Sequence, residues 1–380
     1  MGLAFPRAEG FEVRPLFEFA DGEAEISKVD KEGLVGLLRW AIEERLQVKS
    51  QSHPILLVDS PFWSKDLREY LISMFFETFE VPALFLGRSP VLAAFASGKH
   101  TGLVVDLGAS GVHVCPVFDG YVVKTACFSQ KVIGGDNLTN QCKAMLVEHD
   151  LLEQSISALP IEIGVKKAVD LGAKPDFQRK SIRMDVSFRT YHEKKILEDF
   201  KESTVQVVDS TLSNEADVAM RPPKYYEFPS GFNRNFGFDR FRLGEILFQP
   251  NKYTFHKSSE DFVMSEPNAN PSSVIGLSDM IQRAIQACDV DLRSSVASNV
   301  MLCGGGASIQ GLSERLNADL NRMPTFGRVR VQLPTTTNER RNAAWIGGSI
   351  LGSLGSFQQL WLTRQEFQEH GPSYIERKSP

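Results

Sequence analysis

Long apolar runs are missing from this sequence. The longest, AAWIGGSILGSL, falls short of the roughly 20 residues that a membrane-spanning helix needs. The opening MGLAFPRAEGFEVRP has no cationic stretch followed by a long apolar core, so it does not read as a secretory signal. Cysteine is sparse. Cys115, Cys127, Cys142, Cys288 and Cys303 form no CxxC pair and no zinc-spaced cluster with histidine. Isolated cysteines in apolar surroundings are usually reduced core residues of an intracellular protein. His53, His100, His113, His149, His192, His256 and His370 are scattered, and none meets a cysteine or carboxylate at a ligand spacing, so no metal site is expected. GxSxG and HExxH are absent. An excess of positive charge is absent too. The net charge of −5 argues against a broad nucleic-acid-coating surface, and no sequence-specific contact with nucleic acid is expected. These absences together suggest a soluble, intracellular chain without a membrane partner.

What is present is globular. Hydrophobic residues at 42% and charged residues at 23% allow a sizeable core, and 380 residues suffice for a large two-lobed body. KEGLVGLLRWAIEERL places Leu34, Leu37, Leu38, Ala41 and Ile42 on one helical face. HPILLVDS is a continuous apolar run between prolines, which predicts a strand buried on both faces. SKDLREYLISMFFETF repeats the helical pattern through Leu67, Leu71, Met74 and Phe75. VPALFLG reads as a second buried strand, SPVLAAFASG as a helix closed by Gly98, and TGLVVDLG as a third strand. Strands alternating with helices predict an α/β fold with a largely parallel sheet.

The middle third is less regular, and PDFQRKSIRMDV and the 251–273 segment read as polar, turn-rich stretches. SDMIQRAIQAC is an amphipathic helix with Met280, Ile281, Ala284 and Ile285 inward and Ser278 as its N-cap. WIGGSILGSLGSFQQLW reads as a glycine-laced helix whose small residues let another element approach closely.

Two junctions could carry chemistry. In LVVDLGASGVHV, Asp106 ends a strand and Gly108 follows in a tight turn. Such a carboxylate can hold a hydrated magnesium ion while the turn aims N–H groups at phosphate, but a plain hairpin explains it equally well. In VMLCGGGASIQGLSERL, Gly304, Gly305 and Gly306 leave no side chains between backbone and ligand, and the following helix N-terminus favours anions. A crowded turn remains the alternative. FNRNFGFDRFR could stack nucleobases, although packed aromatics are the commoner reason for such a stretch.

Longer motifs then carry a resemblance. NERRNAAWIGGSILGSLGSFQQLWLTRQEFQEHGPSYIERKSP resembles the C-terminus of actin. FRLGEILFQP, CDVDLR and FETFEVPALFLGRSPVLAAFASGKHTGLVVDLGASG are similar to actin as well, so the likeness runs from about His53 onward. Within the actin family, VQVVDSTLSNEADVAMRPPKYYEFPSGFNRNFG looks like the nuclear actin-related proteins shared by SWI/SNF-type remodellers and histone acetyltransferase complexes. The resemblance implies two lobes built on duplicated ribonuclease-H-like sheets with ATP between them. It implies a first subdomain at 22–96 plus 343–380, a remnant of the second at 1–21, a third at 97–133 plus 273–342 and a fourth at 134–272.

Residue by residue, Asp106 and Gly108 match the family's second phosphate loop, with Ala109 where actin has an aspartate. Lys201 and Glu202 match the pair flanking the adenosine. Gly304 and Gly305 match the glycines at the adenine side, with Ile309 where actin has tyrosine, and Arg341 replaces a nearby lysine. Ser89 stands where actin has the glutamine that positions the attacking water, while the assisting histidine is retained as His113. The family's first phosphate loop and its strands lie upstream of anything aligned here. The expectation is an incomplete gene product lacking the N-terminal hairpin, with ATP held weakly or not at all.

The resemblance implies a non-enzymatic nuclear subunit, with some cytoplasmic presence, that scaffolds with nuclear actin on a helical segment of a remodeller ATPase or acetyltransferase scaffold. Histones are a further candidate partner. Leu351, Leu354 and Phe357, with SPVLAAFASG, would wall the groove for that helix; ordinary core packing is the competing reading, most of all for Leu354. An ATP-hydrolysing cytoskeletal actin or dynactin-type filament protein is the alternative of another class, and a sugar-kinase-like phosphotransferase is a third.

Overall fold

The computed structural model describes residues 12–19, 26–212, 215–255, 274–322 and 329–379. In it, only residues 108–111 separate the strand Gly102–Leu107 from the strand Val112–Phe118. So short a link can only fold back, and the two strands pair antiparallel with Asp106 opposite His113. On its other edge the 102–107 strand runs parallel to Val300–Cys303, which runs parallel to Val331–Gln332. Tyr121–Val122 and Phe128–Gln130 both pair antiparallel with the 112–118 strand and complete a six-stranded sheet. The sheet is therefore mixed rather than largely parallel, since three of its five strand pairings are antiparallel.

A second, three-stranded sheet carries the smaller lobe. Ile55–Asp59 runs parallel to Ala83–Arg88, whose far edge takes the short strand Leu362–Thr363 antiparallel. Ala83–Arg88 is buried almost throughout, as its apolar content demands. The 55–59 strand departs from expectation. Among the described residues it is an edge strand, half-buried except at Asp59. Ser64 caps the helix Lys65–Ser73 by accepting from the Leu67 N–H, and a π turn over Met74–Thr78 continues it. Leu67, Leu71, Met74 and Phe75 are all buried. In the helix Lys31–Arg39 and its π turn Trp40–Arg45, Leu34 and Ile42 are buried but Leu37, on the flank of the stripe, is exposed.

Three further local expectations are corrected. Helix Leu277–Ala287 buries Met280, Ile281, Ala284 and Ile285, but its N-cap is Gly276; Ser278 lies inside the helix and donates to Asp319. PDFQR contains the strand Asp176–Arg179, paired with Ile163–Lys167; both are mostly solvent-facing, which hid the pattern under polar residues. The C-terminal segment is not one helix, since Ala343–Gly352 stops and a 3-10 turn, Gly355–Gln359, follows. Most of the 251–273 segment lies outside the described residues.

The large-lobe core gathers the aromatics of the irregular region. Phe232, Phe236 and Phe241 are buried, with Phe200 and Phe228 between them, so these aromatics of FNRNFGFDRFR are packing residues. Where the lobes meet, Ala93, Ala94, Val104, Val117, Met301, Cys303 and Ala343 form a core of mostly small side chains. Helix Ser89–Ala96 and helix Ala343–Gly352 cross there so closely that a Cβ on Gly347 would lie 1.7 Å from the Leu92 carbonyl oxygen. The close approach that the glycines permit is thus used, at Gly347, within the chain itself.

One buried ionic cluster ties the smaller lobe together. Arg68 Nε and Arg88 Nη1 each lie 2.9 Å from Asp59 Oδ2, and Asp59 is fully buried. Burial raises the Asp59 carboxyl above its ordinary value against the pull of both arginines. Arg68 also pairs with Glu376 and donates to the Ser379 carbonyl, which anchors the last turn of the chain.

Candidate functional site

Three strand ends converge between the lobes. Asp106 is in register with His113 on one neighbour and with Cys303 on the other. Together with Pro61, Ser89, Pro90, Ala93 and Arg341 they line a narrow recess of about 50 Å³. Among the described residues no hydrogen bond or ion pair meets the Asp106 carboxylate, and burial pushes its carboxyl above the ordinary value. His113 accepts from or donates to Ser129 Oγ through Nδ1 at 2.9 Å and stacks on Phe62, ring centroids 4.8 Å apart. Burial lowers its imidazolium to about 4, so the ring is neutral near pH 7.

The glycine turn explains why Asp106 sits where it does. Gly304 has φ +85°, and a Cβ there would lie 2.4 Å from Asp106 Oδ1 and 2.5 Å from the Leu107 carbonyl oxygen. Its N–H donates to the Arg340 carbonyl, which brings Arg341 to the cleft. The turn is not followed at once by a helix. A 3-10 turn, Gly305–Ser308, intervenes, and the helix Leu312–Asn321 starts beyond it. The expectation of a helix N-terminus at the glycines is therefore corrected. The Gly108 N–H is likewise not free for a ligand, because it closes its own turn onto the Gly111 carbonyl at 3.0 Å. The carbonyls of Gly108 and Ala109 accept from the first N–H groups of the helix Gly135–Glu148.

A wider cleft of about 500 Å³ adjoins this recess at Arg341. Gly108, Lys201, Glu202, Gly305 and Arg341 line it, so five of the seven sequence-predicted nucleotide residues share one wall system, while Asp106 and Gly304 line the recess. Lys201 ends the helix Val186–Thr204 and its Nζ donates to the Gly135 carbonyl and to Thr139 Oγ1, both at 2.9 Å. Glu202 and Arg341 form an ion pair of 2.9 Å, both side chains about half exposed. Gly305 faces open space, with Arg341 Nε the nearest atom to a would-be Cβ at 3.9 Å.

Sequence reasoning missed Lys224, Arg240, Gln206 and Ser308, which also line this cleft. Ser308 sits inside the glycine junction itself; no motif signals the other three, which come from separated segments, and Arg240 lies inside a stretch read as packing. The partner-groove residues lie apart from both cavities. Leu351 is half-buried and Leu354 is 49% exposed, whereas Phe357 is 1% exposed and packs edge-on against Phe85 and Trp361. Phe357 is core rather than a groove wall.

A family model described as actin matches residues 23–380. The chain belongs to the actin family. Actin-related protein 4 of Yarrowia lipolytica is 38% identical over 338 residues, covering 88% of this chain and 74% of that protein. Actin-related protein 4 of Arabidopsis thaliana is 35% identical over 354 residues, 90% of this chain and 75% of that protein. A protein described as SWI/SNF and RSC complexes subunit arp42, from Schizosaccharomyces pombe, is 31% identical over 364 residues, 94% and 84% of the two chains. The two sheets, with the recess walled by Pro61, Ser89 and Pro90 on one side and Asp106, His113 and Gly304 on the other, fit the actin-family architecture.

The residues of this actin-family cleft suit a nucleotide. Its volume lies in the ordinary range for small-ligand sites, roughly 300–1,000 Å³. Its lining carries five cationic side chains against three carboxylates, the opposite balance to the chain's net −5, which favours an anionic ligand. Ser308 Oγ and Arg240 Nε are buried there without hydrogen-bond partners, as polar atoms awaiting a ligand would be. Among the described residues no helix is long and apolar enough to cross a membrane.

Proposed function

We propose that this chain is a non-catalytic actin-related subunit of nuclear chromatin-remodelling and histone acetyltransferase complexes. It scaffolds with actin on a helix of a remodeller ATPase or an acetyltransferase scaffold, and through them contributes to transcription regulation and DNA repair. Its working place is the nucleus, with a minor cytoplasmic pool, and histones are a further partner. The similarity to a protein named as a SWI/SNF and RSC subunit supports this reading. In the same reading the first subdomain comprises 22–96 and 343–380, and its exposed Leu354 with Leu351 offers the wall for the partner helix.

The observation that carries the non-catalytic part is Ser89. It lines the recess beside Asp106 and His113, where a hydrolytic relative needs a side chain long enough to orient water. A hydroxymethyl group stops at the wall, and His113 Nδ1 is already engaged by Ser129. Losing one such positioned group typically costs about 10²–10³ in rate. ATP or ADP, when bound, would contact Lys201, Glu202, Gly304, Gly305 and Arg341 with its adenosine and face Asp106 and Gly108 with its phosphates. It would act there as a structural ligand.

Two measurements test this. The purified protein should show no ATP turnover above background, alone or with monomeric actin; turnover that vanishes on Asp106→Ala overturns the non-catalytic reading. Tagged protein purified from nuclei should bring down actin with remodeller or acetyltransferase subunits. Recovery of filament-binding proteins alone overturns the scaffold reading.

A further inference from the structure

The hairpin that carries His113 holds a cysteine pair that no sequence spacing reveals. The 112–118 strand and the 128–130 strand pair as Val112 with Gln130, His113 with Ser129 and Val114 with Phe128. One step further places Cys115 opposite Cys127, which is itself extended at φ −81°, ψ 136°. Side chains alternate along strands, so Cys115 shares the face of His113 and Cys127 shares the face of Ser129. The His113 and Ser129 side chains on that face touch at 2.9 Å. The next positions along it are therefore Cys115 and Cys127; directly opposed residues of antiparallel strands lie about 4.5–5.5 Å apart, inside the Cα range of roughly 4.4–6.8 Å that a disulfide needs.

We propose that Cys115 and Cys127 are an oxidative modification site, closing to a cross-strand disulfide on the large-lobe wall of the cleft when the protein meets a peroxide. Cys115 lines the recess beside Asp106 and is buried, whereas Cys127 is half-buried and reachable. The two thiols are matched in role. The adjacent Cys115 thiol lowers the Cys127 thiol below its ordinary value, aided by the charges of Lys124 and Arg88, while Cys115 itself is raised; Cys127 Sγ also donates to the Val123 carbonyl at 3.5 Å.

The chemistry balances with hydrogen peroxide as oxidant. Cys127 ionises and its thiolate attacks one peroxide oxygen, the O–O bond breaks, and Cys127 becomes a sulfenic acid as hydroxide leaves and takes up the proton that the thiol gave up, forming water. Cys115 sulfur then attacks the sulfenic sulfur, the S–O bond breaks, and the hydroxide departs as water with the Cys115 proton. The pair loses two electrons and two protons, and the peroxide is reduced to two waters. The bond would cross-link the hairpin next to His113 and remove the titratable Cys127 sulfur that interacts with Arg88 of the smaller lobe.

The full chain is treated with hydrogen peroxide, quenched, alkylated in denaturant and digested with trypsin without reductant. Cleavage after Lys99, Lys124 and Lys131 puts the two cysteines on separate peptides, 100–124 and 125–131. The expected product is those peptides joined, with the loss of two hydrogens, and separated again by reductant. Cys127→Ser should abolish the joined product and Cys142→Ser should leave it. Recovery of both peptides separately, with Cys115 alkylated and Cys127 either alkylated or carried to the sulfinic acid, overturns the proposal. A link from Cys115 to Cys303 overturns it as well.

Discussion

Lowering the pH through the range in which histidines ordinarily titrate should weaken the large lobe through His113. In the unfolded chain its imidazole takes a proton near 6.5; in the fold, burial between Phe62 and the strand face delays this to about 4. Between those values the unfolded chain binds a proton that the folded chain refuses. Stability is therefore full above about 6.5, falls as the pH drops towards 4, and levels off below. The gap corresponds to about 3 kcal/mol. Other carboxylates titrate in the lower part of this window, so the comparison must be with His113→Gln, whose amide oxygen can still accept from Ser129. Urea unfolding followed by circular dichroism, at steps from about pH 7.5 to 4, should show the wild type losing about 3 kcal/mol more than the variant. Parallel profiles, or an imidazole resonance of His113 that titrates near 6.5, would refute the burial argument.

Three other perturbations test the architecture. Asp59→Ala leaves Arg68 and Arg88 buried without their shared carboxylate and should cost about 3–5 kcal/mol, read by tryptophan fluorescence, since Trp63 and Trp361 belong to the smaller lobe's surroundings. Gly304→Ala forces a side chain into φ +85°, at about 1–2 kcal/mol for the backbone alone, and pushes on Asp106; ATP binding measured by calorimetry should be lost, and unchanged affinity would contradict the turn's role. Leu354→Glu should abolish co-purification of the partner helix while shifting stability by no more than about 0.5 kcal/mol, whereas Phe357→Glu should unfold the smaller lobe.

Local pattern determined much of this protein. The strands at 83–88, 102–107 and 300–303 and the apolar faces of the 65–73 and 277–287 helices follow from residue spacing, because each is buried on the face or faces its periodicity announces. Asp106 and the 304–306 glycines stand out in sequence as a candidate site because a strand-end carboxylate and a side-chain-free turn are short-range features. Tertiary structure decided what spacing cannot carry. The parallel or antiparallel sense of each strand depends on which strands meet, and the 108–111 link made the larger sheet mixed. Lys224, Arg240 and Ser308 joined the cleft only when distant segments converged, and Arg341 found Glu202 across 139 positions of chain. Leu354 and Phe357, three residues apart, exchanged their expected roles because the helix has already ended at Gly352 and the 3-10 turn Gly355–Gln359, which starts between them, leaves one out and turns the other in. Cys115 and Cys127 are twelve positions apart and look unrelated, yet strand register sets them face to face. Periodicity reports which side of an element is buried; only packing decides what it is buried against.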